Sequence, residues 1–215
     1  MKKLATLLLC MVILLSGCAG TARPEDALPA GDVWETIEEA YIYAFPLVLL
    51  DATMTSATNT EEPVPGKAPV NQFMHGVALA NTQFKNVVSP NVDTIYSQVW
   101  CDLSEEPMVY VLPETDRFCK VQVLDAWTNT AAVLDRAGAY AITRANWSGD
   151  LPEDVVRIDV PTAMAWSITR TVLSGEADLP NVYAIQAGMK LLPLSAYLSE
   201  EAYQPPKGSY QEENN

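Results

Sequence analysis

The chain has 215 residues, 49% of them hydrophobic, and a formal net charge of −14 at pH 7. This length and apolar content fit one globular domain of roughly 150 residues with tails. Such an acidic excess repels phosphate backbones and argues against a nucleic-acid partner. His75 is the only histidine and no EF-hand spacing occurs, so the sequence predicts no metal and no cofactor.

The N-terminus carries an export signal. Met1-Lys2-Lys3 precedes an apolar run from Leu4 to Leu15, which is too short to span a bilayer and typical of a signal-peptide core. The run ends in Leu15-Ser-Gly-Cys18, which resembles the bacterial lipobox. We therefore predict a signal peptide over residues 1–17, a lipid on Cys18 that anchors the protein to a membrane of the cell envelope, and a tether over 18–31. Ala19 resembles sorting to the outer membrane of a two-membrane host. The alternatives are an ordinary secreted protein and an uncleaved helix.

The folded part is predicted to begin with a helix. Asp32 and Glu35 form a capping-box-like start, and apolar residues follow at helical spacing as far as Val48. Pro46 is expected to kink or end this helix near Phe45. Residues 52–92 contain several prolines and are predicted to form an irregular, functional loop or to carry short helices.

From Thr94 the apolar period changes to two, which predicts a series of strands as far as Val172. Asp178 is then expected to cap a C-terminal helix that extends to Leu192. The polar tail over residues 199–215 is predicted to be disordered. This order of elements favours a mainly β, α+β domain over residues 32–198 rather than alternating βαβ units.

Four segments carry a family resemblance. They are Ala40-Tyr-Ile-Tyr-Ala-Phe-Pro46, Val88-Ser-Pro-Asn-Val-Asp-Thr-Ile-Tyr-Ser-Gln-Val-Trp-Cys-Asp-Leu103, Val123-Leu-Asp-Ala-Trp-Thr-Asn129 and Ala187-Gly-Met-Lys-Leu-Leu-Pro-Leu194. They resemble the family called domain of unknown function 1254, over roughly Trp34 to Pro206. The resemblance implies an immunoglobulin-like antiparallel β-sandwich with an N-terminal and a C-terminal helix, and no established biochemical role. Members usually continue into a β-rich domain of unknown function 1214. Because this chain stops soon after Gly208, we expect a protein partner that carries the missing domain.

Three charged residues share the parity of the apolar side of their predicted strands. They are Asp93, Asp125 and Arg170, with Asn91 and Asn129 as amide neighbours. Because buried charges need partners, we predict an inward cluster of these five residues. The cluster would bind a polar ligand or position water. The alternative, which paired buried charges favour, is a structural network in which Asn91 and Asp93 form an Asx turn.

Other candidate residues are less specific. Cys101 and Cys119 form either a disulfide that closes an 18-residue loop or two separate buried thiols. His75 has the free pKa of a general base, but no nucleophile stands beside it in the sequence. Four aromatic residues line a ligand pocket or pack in the core: Tyr96, Trp100, Trp127 and Trp166.

The sequence therefore predicts an envelope interaction or binding module, pairing with a separate chain of the 1214 type. One alternative is an enzyme or small-molecule binder that uses the inward Asp/Arg/Asn cluster. The other is a truncated remnant without activity. The residues leave open whether the protein is an enzyme.

Overall fold

The computed structural model describes residues 33–85, 89–199 and 202–212. The predicted signal peptide, Cys18 and the tether lie outside these residues. The chain separates into two compact units, residues 1–43 and 44–215. Every described strand, and every described helix except the first, lies within the second unit.

Helix α1 spans Val33–Thr58, across the boundary between the units, and contains Pro46 in its interior. Of the two predicted effects of Pro46, a kink or an end near Phe45, the end is wrong. The apolar turns beyond the proline explain this, because Leu50 is buried and packs with Met54 against Trp100. That packing offsets the lost backbone hydrogen bond. By length and composition α1 is also apolar enough to cross a membrane, a property that core helices and signal sequences share.

The strands of the described residues form two sheets. The strands are β1 Met74–His75, β2 Thr94–Asp102, β3 Met108–Leu112, β4 Cys119–Asp125, β5 Thr130–Leu134, β6 Gly138–Arg144, β7 Val155–Val160, β8 Met164–Val172 and β9 Lys190–Pro193. One sheet has the order β1-β2-β8-β4-β5 and the other the order β7-β6-β3-β9. Strand pairs are antiparallel except β6 and β7, which are parallel.

A short 3-10 helix, Glu176–Asp178, leads into α2, Leu179–Gly188, and α3, Leu194–Leu198, follows β9. The predicted helix to Leu192 is thus interrupted, because Lys190–Pro193 pairs with β3. Asp178 stands at the start of α2 but makes no capping hydrogen bond. Its carboxylate instead accepts two hydrogen bonds from the Arg117 guanidinium, at 2.6 and 3.1 Å.

Both sheets contribute to one apolar cluster, in which Val99 and Val123 of the first sheet join Tyr110 and Ile142 of the second. The inward faces of the two sheets therefore bury each other's side chains, which is the main stabilisation of such a fold. The predicted α+β class with an N-terminal helix and helices near the C-terminus is confirmed. The parallel β6–β7 pair departs from the fully antiparallel arrangement predicted, and the immunoglobulin-like description stays a prediction.

Candidate functional site

Asp125 and Asn129 meet, as predicted, but in a closed turn. Asp125 ends β4 and is 3% exposed. Its carboxylate accepts hydrogen bonds from the backbone N–H of Trp127 at 2.8 Å and of Asn129 at 2.9 Å, and from Asn129 Nδ2 at 3.1 Å. Thr128 has a positive φ of 64°, which reverses the chain towards β5. The carboxylate is therefore used by its own turn.

Asn91 and Asp93 form the Asx turn that was the structural alternative. Asn91 Oδ1 accepts hydrogen bonds from the backbone N–H of Asp93 and of Thr94, each at 2.8 Å. This arrangement starts β2 and leaves the Asp93 side chain exposed to solvent. The prediction that Asp93 points inward is wrong because the residue precedes the strand and does not continue its alternation.

Arg170 lies on the outer face of β8, so the predicted inward cluster does not form. The inward residues of β8 are instead small and mostly polar: Ala165, Ser167, Thr169 and Thr171. Arg170 donates a hydrogen bond to Gln122 Oε1 at 3.1 Å, and its guanidinium carbon lies 5.5 Å from the centre of the Tyr96 ring. Its partners are thus neighbouring residues on the outer face of the sheet.

Cys101 and Cys119 are free, buried thiols rather than a disulfide. On β8, Cys101 pairs opposite Ala165 and Cys119 opposite Thr171. The two cysteines are therefore two strands apart across the sheet, about 10 Å, and six residues apart along it, about 20 Å. A disulfide requires Cα atoms within about 7 Å, so this fold excludes the bridge.

Of the four aromatic candidates, Trp100 and Trp166 stack in parallel at 4.7 Å between ring centres and pack against α1. Tyr96 lies beneath Arg170. Neither these three residues nor Trp127 lines the cavity described next. Trp100 and Trp166 therefore follow the alternative prediction, in which these aromatic residues pack in the core.

A cavity of about 810 Å³ lies beside the edge strands β1 and β9. It is lined by Pro63, Asn71, Gln72, Phe73, His75, Val111, Lys190, Leu191, Leu192, Ala196, Tyr197, Ser199, Ala202, Tyr203 and Pro205. Most of these side chains are apolar or aromatic, with a few polar groups among them, which is the usual composition of a small-molecule site. Lys190 carries the only formal charge among them, taking His75 as neutral.

His75 is the most reactive side chain of this lining. Its Nδ1 lies 2.8 Å from Ser97 Oγ, and its ring stacks on Phe73 at 5.0 Å between ring centres and an interplanar angle of 15°. Gln186 of α2 donates to the carbonyl of Gly76 at 2.9 Å and to Ser97 Oγ at 3.4 Å. Burial lowers the pKa of His75, because it disfavours the charged ring. Burial therefore favours the neutral form of the imidazole at the cavity wall.

The C-terminal segment forms one side of the cavity. Residues 202–212 form neither helix nor strand and run along the loop over residues 59–72, where Gln72 Nε2 donates to Pro206 O at 2.7 Å and Gly208 N donates to Glu61 O at 2.9 Å. Asn59 and Gln211 exchange two further hydrogen bonds. This ordered path differs from the disordered tail predicted, because backbone groups of the segment have partners. We call residues 202–212 the C-terminal strap.

The sequence offers His75 as a general base without a neighbouring nucleophile, and no local pattern predicts the cavity. β1 has only two residues, too few to display an alternating pattern. The strap lies far along the chain from the loop that it contacts, and its polar composition is typical of disorder. The signal that could have identified the site is the short aromatic segment around the single histidine, Phe73-Met-His75. Within the described residues, no group of three or more potential metal ligands is present.

Comparison with known proteins places the chain in a family. The model for the family described as protein of unknown function DUF1254 matches residues 70–193, more than half of the chain. The chain therefore belongs to this family. No curated protein matches it.

Two crystal structures are among the solved structures that match the chain. The crystal structure of the VPA0106 protein from Vibrio parahaemolyticus is 20% identical, with a TM-score of 0.61 over 81% of this chain and 42% of that one. An uncharacterized protein from Burkholderia cenocepacia is 13% identical, with a TM-score of 0.37 over 59% of this chain and 36% of that one. The first likeness supports the fold alone. The chain spans less than half the length of either protein.

Proposed function

We propose that this protein is a lipid-anchored envelope protein whose folded domain binds a small, largely apolar molecule in the His75 cavity. The observation that carries the proposal is a histidine, bonded to Ser97 and stacked on Phe73, in the wall of a mostly apolar cavity. The cavity volume lies within the usual range for small-molecule sites, roughly 300–1,000 Å³.

The proposed site replaces the inward Asp/Arg/Asn cluster as the place of ligand binding. The side-chain oxygens of Asp125 and Asn91 accept hydrogen bonds from backbone groups of their own turns. Arg170 lies on the outer face of the sheet. The His75 cavity, by contrast, combines space, apolar walls and unused hydrogen-bonding capacity. These are the properties that a binding site requires.

Ligand binding can be tested by filling the cavity. Ala196 lines it, whereas Ala131 is an exposed residue of β5 that does not. Fluorine NMR of a library of small fluorinated aromatic compounds, with the full chain in lipid nanodiscs, should detect binders that Ala196→Trp abolishes and Ala131→Trp retains. Binding that survives Ala196→Trp, in a variant with unchanged thermal melting, would place the ligand elsewhere.

The membrane address rests on the lipobox-like segment that ends at Cys18. Cells that express the chain and are fed a labelled fatty acid should label the wild type and a Cys101→Ser control but not Cys18→Ser. In the Cys18→Ser variant the processed, membrane-bound form should also be lost. Labelling of Cys18→Ser, or wild-type protein recovered without lipid, would contradict the anchor.

A second proposal is pairing with a separate chain of the 1214 type. It is supported by the larger size of the Vibrio protein, of which only 42% is matched here. Co-expression with such a chain from the same genome, followed by size-exclusion chromatography, should give a one-to-one complex. Separate elution of the two chains at micromolar concentration would rule this pairing out.

A further inference from the structure

We infer that Ser97 and Gln186 lock His75 in the tautomer that carries its proton on Nε2, so that the cavity selects apolar ligands bearing a carbonyl or carboxylate oxygen. This inference rests on the proposed ligand-binding function. It adds the chemical class of the ligand and the residues that select it.

The carbonyl of Gly76 fixes the orientation of the Gln186 amide. A carbonyl oxygen can only accept, so the Gln186 atom 2.9 Å from it must be the –NH₂ nitrogen. The same nitrogen lies 3.4 Å from Ser97 Oγ. Gln186 is therefore a donor to Ser97, and the reverse assignment of its amide is excluded.

The Ser97 hydroxyl then has one direction left for its proton. Ser97 is 1% exposed, and its described side-chain partners are Gln186, which donates to it, and His75 Nδ1 at 2.8 Å. The hydroxyl oxygen could also accept from His75, but the Ser97 proton would then have no described acceptor at a buried position, so that proton goes to Nδ1. Nδ1 must then be an unprotonated acceptor. A neutral imidazole with an acceptor at Nδ1 carries its proton on Nε2.

The consequence is a directional donor in the cavity wall. His75 lines the cavity, and its second ring nitrogen presents an N–H rather than a lone pair. A ligand that carries an acceptor oxygen gains a hydrogen bond there, whereas a ligand with only donors meets N–H against N–H. The Phe73 ring, stacked on His75, adds a flat apolar surface beside the donor.

Lys190 extends the same selection to carboxylates. It lies in the lining at the start of β9, and none of the described lining residues is acidic. A carboxylate could therefore accept from His75 and also gain from the ammonium charge. Ketones and carboxylates share the acceptor oxygen, and they differ in their expected dependence on Lys190.

The tautomer can be measured directly because the chain has one histidine. Nitrogen-15 NMR of histidine-labelled full chain in nanodiscs at pH 7.5 should show an unprotonated Nδ1 and a protonated Nε2. Ser97→Ala should release the ring into a mixture of tautomers. Ser167→Ala is the matched control, because Ser167 is a buried serine on the inward face of β8 whose hydroxyl has no hydrogen-bond partner among the described residues. A wild-type ring protonated on Nδ1, or on both nitrogens, would overturn the inference.

Ligand selection is tested with three probes of similar size: 4-fluoroacetophenone, 4-fluorobenzoate and 4-fluoroethylbenzene, which lacks the acceptor. The first two should bind about tenfold more tightly than the third, the value of one hydrogen bond. His75→Phe should remove the preference for 4-fluoroacetophenone and reduce that for 4-fluorobenzoate, which keeps the contribution of Lys190. Lys190→Gln should weaken 4-fluorobenzoate alone, and Lys120→Gln, outside the cavity, should change nothing. Equal affinities for all three probes would overturn acceptor selection and leave the binding function intact. Binding of none would overturn both.

Discussion

Asp125 and His75 are both polar residues at the margins of the same five-stranded sheet, yet the structure uses them differently. The Asp125 carboxylate receives three hydrogen bonds from its own turn, within four residues of the chain. His75 receives one hydrogen bond, from Ser97 on the neighbouring strand, and keeps a second ring nitrogen at a cavity. Burial and charge make Asp125 the more conspicuous of the two. Its burial and its three hydrogen bonds within the turn leave little of the carboxylate for a ligand.

Removing the Asp125 carboxylate should give the largest effect on stability. Asp125→Ala leaves the N–H groups of Trp127 and Asn129 without their acceptor in a partly buried turn, which costs about 3 kcal/mol of the free energy of unfolding. Urea denaturation measures this loss. Asp93→Ala, an exposed carboxylate, is the control and should change stability little. If Asp125→Ala altered probe affinity at full stability, the structural role assigned to this turn would be wrong.

The second prediction concerns the C-terminal strap, which forms one side of the His75 cavity. A Cβ atom on Gly208 would lie 2.8 Å from Pro69 Cβ and closer still to the carbonyl oxygen of Thr60, so Gly208→Ala must displace the strap. Overpacking of this kind costs about 2 kcal/mol where it cannot relax, and here we expect local detachment. Limited proteolysis should then cut within residues 202–212, and probe affinity should fall about tenfold.

Lys207→Gln is the matched control for the strap. It removes only the exposed ion pair with Glu62, at 2.9 Å, and keeps the backbone contacts of the segment. Its protease resistance should equal that of the wild type. A Gly208→Ala variant with wild-type resistance and affinity would show that the strap does not maintain the cavity.

The third prediction concerns how His75 makes the free energy of unfolding depend on pH. Burial lowers the folded-state pKa of His75 below the unfolded value of 6.5, so the unfolded chain binds the proton more readily. The stability contribution is therefore complete above about pH 7 and is lost as the pH falls through the folded-state pKa. Urea titrations at several pH values should show this decrease in the wild type and a smaller one in His75→Gln. An identical decrease in both proteins would mean that His75 is not the titrating group.

The smallest effect is expected at Arg170. Arg170→Met removes one partly exposed hydrogen bond to Gln122 and the contact with the Tyr96 ring, and keeps the apolar stem over the sheet. We expect a loss of about 0.5–1 kcal/mol in the free energy of unfolding and no change in probe affinity. A loss several times larger would indicate that Arg170 supports more of the outer face than these two contacts.

Strands β4 and β8 show how far the sequence could predict this fold. In β4, Val121 and Val123 alternate with Lys120 and Gln122, and the structure buries the residues that the pattern indicates, including Asp125. In β8 the larger apolar residues, Trp166 and Ile168, lie on the outer face, where α1 covers Trp166. The inward face carries serine and threonine, and these residues are buried only because the second sheet lies against them. The alternation of residues alone cannot show which face of a strand points inward when other elements cover both faces.

The candidate site was less predictable than the fold, for a related reason. Its parts come from a two-residue strand, a helix end and the C-terminal strap, and these contact each other only after the chain has folded. Gln186 and Gly76 are 110 residues apart in the chain, and their hydrogen bond decides the orientation of the whole polar network. Local patterns carry no information about such a contact.

The two cysteines have a practical consequence. Cys101 is 1% exposed and burial raises its pKa to about 12, and burial also raises the pKa of Cys119. While the domain is closed, Cys101 and Cys119 therefore offer no thiolate to an oxidant. Because the two thiols lie on separate strands, the reaction rate of each one reports the opening of its own part of the sheet. The rates at which a thiol reagent modifies them would reveal whether the core opens as a whole or strand by strand.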